Sequence, residues 1–365
     1  MMTTNDPSQQ APAPALTPAQ VAAGGDYELF ELGDVVLQRG RTLRGARLAY
    51  KTYGRLSAAR ANAIVFPTWY SGTHADLEWL IGPGRPLDTD RYFVIVPNLF
   101  GMGLSSSPST IGRPHGAGHF PLVTVLDNVQ AQHRLVTEVF EIETVECVLG
   151  GSMGALQAFQ WGAAYPGLVK RILPFCGAAS TSEHNQVFLE GLRGAIQLDP
   201  AWAGGGYDRN PEQGLRHFGR VYAGWGLSQQ FYWQRAYLEL GFSSLEDFLV
   251  GFWEGYMLSR DANDLLAQLE TWYHADIGDT PGCAGDRALA LGRITARALI
   301  LPAETDLYFP PADNRWEAQQ MPNAEVRVIP GSFGHYSCAG GFPEQAAFIG
   351  DCVRELLADD PKAPR

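Results

Sequence analysis

The sequence predicts an α/β fold: a mostly parallel central sheet flanked by helices, with an inserted helical cap. Three observations predict it. Short apolar runs alternate with helical patterns through the first half of the chain. A glycine-rich turn, Gly150-Gly151-Ser152-Met153-Gly154, joins one such run to a helix. From about residue 180 to 290 the pattern turns helical and aromatic, and strand-like runs then return.

Residues 1–25, rich in Pro, Ala, Gln and Thr, read as a disordered tail. The runs at 27–32 and 46–53 alternate and read as antiparallel strands at one sheet edge. Residues 61–67 form a short apolar run, typical of a buried strand, with a loop from Thr68 to His74 behind it. A second buried strand at 91–97 leads into a Gly/Ser loop at 98–108. Val125, Val129, Leu135, Val136 and Val139 fall at roughly helical spacing. The strand that ends at the glycine turn comes next, then an amphipathic helix ending before Pro166, then a strand at 171–176. Six of the nine tryptophans lie in 202–316, and no strand can be drawn from 180 to 290. That block reads as a cap over the turn end of the sheet, its aromatics mostly core and some of them pocket wall. The sheet resumes at 298–303 and 325–330, and a helix at 343–357 ends the chain. The expected division is therefore a core of 26–180 and 291–365 and a cap of 181–290.

Bulk properties exclude several function classes. A net charge of −12, with no basic stripe, argues against nucleic acid or an anionic membrane as partner. No apolar run reaches the length of a membrane span. The first residues carry neither a basic region nor an apolar one, so no secretory signal is expected. Five widely spaced cysteines, at 147, 176, 283, 338 and 352, suit reduced thiols in a cytoplasm. Without zinc-ligand or phosphate-loop spacings, neither a metal nor a nucleotide cofactor is expected.

The glycine turn fits G-x-S-x-G, in which a tight strand-to-helix turn lifts a serine clear of the sheet. Alone the pentapeptide is weak, because 41 glycines in 365 residues produce such patterns by chance. The other reading is a plain turn with a capping serine. Partners decide between them, since a serine hydroxyl needs a base and the base an orienting acid. Asp306 follows the strand at 298–303 and His335 the strand at 325–330, in the chain order Ser, Asp, His. Asp306 is assigned as the acid and His335 as the base, with Glu304 the alternative acid. The Met153 amide is one expected oxyanion donor. The Tyr70 amide, in the loop after the 61–67 strand, is the other, with Trp69 as alternative.

At this point the chain resembles the homoserine O-acetyltransferase family of α/β-hydrolases. The likeness covers about residues 27–180 and 295–340. It rests on 48–63 (LAYKTYGRLSAARANA), 88–98 (DTDRYFVIVPN), 120–132 (FPLVTVLDNVQAQ) and 150–158 (GGSMGALQA). The resemblance implies the α/β-hydrolase fold, a Ser152–His335–Asp306 triad, an acyl-enzyme carrying a small acyl group, and a homodimer paired through the cap. Departures fall in the site. Family members that acetylate homoserine follow the histidine with an aspartate placed for the substrate ammonium, whereas Tyr336 stands here. The family's cap arginine for the substrate carboxylate has only Arg216 or Arg220 as counterparts, in a stretch that ends at Trp225, and neither register keeps the whole pattern. The family's Gly-Gly-Cys-x-Gly-Ser loop reads Phe100-Gly101-Met102-Gly103-Leu104-Ser105.

The candidate pocket residues are thus Trp69, Tyr336, Arg220 and Trp225. The leading expectation is a serine esterase for small, mostly apolar esters, acetates first. The alternative is an acyltransferase using acetyl-CoA with homoserine or another acceptor, and a third class is a non-catalytic binding protein.

Overall fold

The computed structural model describes residues 26–112 and 114–359; the expected tail at 1–25 lies outside them. The chain enters through an antiparallel hairpin, β1 (Glu28–Val36) and β2 (Thr42–Tyr53). Only Leu32 of β1 is buried, which suits an edge strand. The strands β3 (Ala63–Val65), β4 (Phe93–Pro97), β5 (Cys147–Gly151), β6 (Arg171–Phe175) and β7 (Arg297–Ile300) are buried at every residue. That is why they read as unbroken apolar runs rather than as alternation. With β8 (Ala324–Val326) they form one eight-stranded sheet, ordered β1-β2-β4-β3-β5-β6-β7-β8. Every pairing from β4 through β8 is parallel. The C-terminal ends of β5, β7 and β8 therefore share one edge.

β8 is shorter than the expected strand at 325–330. Arg327 and Ile329 still donate to the carbonyls of Ile300 and Pro302. Pro302 has no N–H to return, so the regular ladder stops.

Helix α1 (Val125–Arg134) starts at a reciprocal Thr124–Asp127 cap and runs on as a π-helical turn through Val139. Helix α2 (Met153–Ala164) differs from the amphipathic helix expected. Every residue from Met153 to Ala163 is buried, because α2 packs on β5 and β6 and also against α1.

Seven helices lie between β6 and β7: α3 (Glu183–Gln197), α4 (Glu212–Gly226), α5 (Gln229–Trp233), α6 (Leu245–Phe248), α7 (Gly255–Leu258), α8 (Ala262–Tyr273) and α9 (Arg287–Gly292). A π-helical stretch, Leu249–Glu254, joins α6 to α7. Aromatic rings hold this layer together: Phe188 stacks on Trp225 at 5.0 Å, and Tyr222 on Trp253 at 5.6 Å. Helix α9 instead packs on α2 and on α10 (Pro311–Gln320), beside the sheet. The last helix, α11 (Pro343–Ala358), covers the other face through Ile349, Val353 and Leu356.

Two glycines of α4 test how tightly the helical layer is packed. A Cβ on Gly219 would lie 2.7 Å from the Trp253 carbonyl oxygen, whereas one on Gly224 meets nothing within 4 Å. Gly219→Ala is expected to destabilise by about 1–3 kcal/mol through overpacking. Gly224→Ala is expected to stabilise by roughly 0.5–1 kcal/mol through helix propensity. Guanidinium unfolding of the two variants checks this, and equal midpoints would contradict the packing.

Candidate active site

Ser152 stands between β5 and α2 with φ +54° and ψ −123°, a conformation that an L-residue rarely adopts. Two close approaches make the turn possible. A Cβ on Gly150 would lie 2.4 Å from the Gly154 carbonyl, and one on Gly154 would lie 2.8 Å from the Pro67 carbonyl. The Ser152 amide donates to the Phe175 carbonyl at 3.0 Å, which ties the turn to β6. The hydroxyl is thereby left free to face outward from the sheet edge.

His335 reaches that hydroxyl from a helical turn, Gly334–Cys338, after β8. Its Nε2 lies 2.9 Å from Ser152 Oγ, and its Nδ1 lies 2.8 Å from Asp306 Oδ2. Asp306 is fixed by its own loop: Oδ1 accepts from the Tyr308 and Phe309 amides at 3.1 and 3.0 Å. All three side chains are buried. The carboxylate can only accept at Nδ1, so Nδ1 carries the proton and Nε2 presents a lone pair to the serine. Burial disfavours the charged imidazole, but the adjacent Asp306 carboxylate outweighs it and raises the His335 pKa above the ordinary 6.5. Glu304 is committed elsewhere, accepting from the Gly331 amide at 3.2 Å.

Above the serine lies a cleft of about 310 Å³. Tyr70, Trp69, Trp79, Phe252, Tyr256 and Tyr336 supply its aromatic walls. No Lys or Arg is among the described residues that line it; Asp76 is its one carboxylate besides the buried site, held by the Thr73 amide at 2.7 Å. Met153 opens α2, where first-turn amides lack intrahelical partners and the helix dipole favours negative charge. In the loop after β3, the Trp69 carbonyl accepts from the Gly72 amide at 3.2 Å. A trans peptide sets its N–H opposite its carbonyl, which directs the Tyr70 N–H away from that turn.

Two pocket expectations are corrected. Arg220 does not line the cleft: Glu254 takes its Nε at 2.6 Å and Glu246 its Nη1 at 3.2 Å. Trp225 does not line it either: its ring stacks on Phe188 and lies tilted against His184. Arg216, the other candidate arginine, also pairs with Glu254, at 2.7 Å. Tyr336 does enter the wall, and Gly226 leaves room for it, since a Cβ there would lie 2.9 Å from the Tyr336 ring. Trp79, Phe252 and Tyr256 were not singled out in the sequence. Trp79 sits in a short helix just past the Tyr70 loop, and its nearness to that loop is the only signal that could have found it.

Comparison with known proteins identifies the family. Residues 72–341 match the family model described as alpha/beta hydrolase fold. An ethyl acetate hydrolase of Pseudomonas veronii is 39% identical over 92% of this chain and 96% of its own. A homoserine O-acetyltransferase of Thermobifida fusca is 32% identical over 92% and 94%. The crystal structure of an acetylester hydrolase from Corynebacterium glutamicum superposes with a TM-score of 0.88 at 35% identity, over 91% and 96%. A buried serine–histidine–aspartate relay at one edge of this sheet and these long matches have one conclusion: the chain belongs to the α/β-hydrolase fold family, among the esterase-like relatives of the homoserine O-acetyltransferases.

Proposed function

We propose that the protein is a serine carboxylic-ester hydrolase for small, mostly apolar esters, acetates first among them. One observation carries the reading. A hydrogen-bonded Ser152–His335–Asp306 relay lies beneath a cleft walled by aromatic rings and lined, among the described residues, by no Lys or Arg. Such a cleft suits neutral esters and offers nothing to a carboxylate or to the phosphates of a CoA thioester. The Pseudomonas veronii relative is named for ethyl acetate, an ester of this class.

In this reading the steps follow from the hydrogen-bonded relay. Ser152 Oγ attacks the acyl carbonyl while its proton passes to His335 Nε2. Asp306 stabilises the imidazolium. The Met153 and Tyr70 amides hold the oxyanion. Collapse breaks the bond to the alcohol, which leaves with the proton from His335. A water, deprotonated by His335, then releases the acid and restores Ser152.

The homoserine O-acetyltransferase relative favours a second reading, in which an acceptor alcohol replaces water. It has one further requirement, a site for a zwitterionic acceptor, and Tyr336 and the paired Arg216 and Arg220 do not supply one. The five unpaired, buried thiols support a reducing compartment, the cytoplasm. No helix among the described residues is long and apolar enough to cross a membrane. We further propose a homodimer through the helical segment. Trp233 there is 89% exposed, with Leu238, Leu245 and Val250 also exposed along the same stretch.

With p-nitrophenyl acetate, Ser152→Ala is expected to lose roughly 10⁶-fold in kcat, and the wild type to show an acetyl-serine adduct by mass spectrometry. Homoserine-dependent CoA release from acetyl-CoA would replace hydrolysis with transfer. The neutral imidazole is the active form, so kcat/KM falls as pH drops through the raised His335 pKa and levels off above it. A half-point below that of free imidazole would contradict the Asp306 effect. Trp233→Asp should convert a dimer to a monomer in light scattering, and a wild type that already runs as a monomer ends that proposal.

A further inference from the structure

We propose that Gln268 and Tyr256, on the helical segment between β6 and β7, are positioning residues for the oxyanion amide of Tyr70. The inference rests on the serine-hydrolase reading and extends it. The segment then does more than roof the cleft: it sets one of the two donors on which transition-state stabilisation depends.

The observations converge on the loop after β3. Ser71, next to Tyr70, has φ +59°, in the left-handed region that L-residues avoid. Such a conformation persists only where its surroundings over-determine it. Those surroundings come from the helical segment. Gln268 Oε1 accepts from the Ser71 amide at 2.7 Å. The Tyr256 hydroxyl donates to the Ser71 carbonyl at 3.1 Å and lies 2.9 Å from Ser71 Oγ. The Tyr70 hydroxyl donates to the Leu265 carbonyl at 3.1 Å.

Leu265, Gln268 and Trp272 fall at i, i+3 and i+7, one face of α8, and the Tyr70 ring packs 5.6 Å from Trp272. The same face therefore grips the Tyr70 side chain and the following amide. On the other flank, the Trp69 carbonyl is tied to Gly72, and the Thr68 carbonyl accepts from Gln157 Nε2 at 3.0 Å. The peptide plane carrying the Tyr70 N–H is thus held on both sides. Gln268 and Ser71 are both buried, so shortening Gln268 or making it apolar leaves the Ser71 amide without its acceptor. The Ser71 amide would then have to turn to find another partner, and the Tyr70 amide would turn with it.

A donor aimed at the oxyanion acts on the transition state, not on the bound ester. Gln268→Met, close in volume and lacking the acceptor, is therefore expected to lower kcat for p-nitrophenyl acetate by about 10- to 100-fold with KM nearly unchanged. Affinity for an acetyl-like trifluoromethyl ketone, which forms an oxyanion on Ser152, should fall in parallel. Affinity for the unfluorinated ketone should not. Gln268→Glu keeps an oxygen for the Ser71 amide and should recover most of kcat, and Tyr256→Phe should show a smaller loss of the same kind. Wild-type kcat and inhibitor affinity in Gln268→Met would overturn the proposal. So would an equal loss of affinity for both ketones together with a lowered melting temperature, which marks general disruption. Ser152→Ala runs alongside: if it keeps hydrolysing, the serine-hydrolase reading falls and this inference with it. If it is inactive while Gln268→Met is unimpaired, only this inference falls.

Discussion

The contact on which the rest of the site depends is a backbone approach with no side chain in it. The α carbon of Gly154 lies so near the Pro67 carbonyl that even a methyl group would collide with it. Through that contact the N-terminus of α2 touches the loop after β3. Met153 at the head of α2 and Tyr70 in that loop, the two amides proposed as oxyanion donors, come from distant parts of the chain. The strained Ser152 backbone is the cost of the same geometry, and a second glycine, Gly150, is needed so that β5 can turn into α2 at all. Gly150 and Gly154 are thus steric requirements of two separate packings.

The electrostatics of the relay rest on a similar economy. Burial alone would drive the proton off His335, and a buried carboxylate alone would be unstable. Each corrects the other. Asp306 takes two backbone amides on one oxygen and the imidazole on the other, so its charge is solvated by fixed dipoles. The His335 ring is then confined between Tyr308 and the serine, with a centroid distance to Tyr308 of 4.4 Å. In the proposed mechanism little reorganisation is left for the moment of proton transfer.

The parts of this arrangement legible in the sequence were those governed by chain order. Ser152, Asp306 and His335 each come after a strand of the parallel set, and parallel strands deliver their C-terminal loops to one edge of the sheet. The Tyr70 loop obeys the same logic. The features that were not legible depend on partners. Arg220 and Trp225 lie on α4, but which face of α4 meets the cleft is set by Glu254 and Phe188, from other helices. Tyr256 and Phe252 could not be told from the surrounding aromatics, because a block rich in aromatic residues gives no contrast. Gln268 carried no signal either, since a buried glutamine reads as surface in any pattern. The burial of α2 on all sides was missed for a related reason: glycine and alanine hide a helix between layers without making it look apolar.

The fate of the α4 arginines also bears on substrate charge. Glu254 is buried, which by itself would raise its pKa; the Arg216 and Arg220 guanidinia instead hold it below the usual carboxylate range. Both arginines are therefore counter-ions to a buried glutamate. Diverting either one to a substrate carboxylate would leave Glu254 undercompensated. The place beside His335 where acetyltransferases present an aspartate is filled by the Tyr336 ring, and Gly226 is kept small to admit it. A zwitterionic acceptor such as homoserine would have to shed the hydration of its carboxylate with no Lys or Arg among the described lining residues to meet it. A neutral ester loses little on entering, and water remains the smallest nucleophile able to reach the acyl carbon beneath those rings. The same substitutions that remove the amino-acid site thus leave hydrolysis as the route by which the acyl group departs.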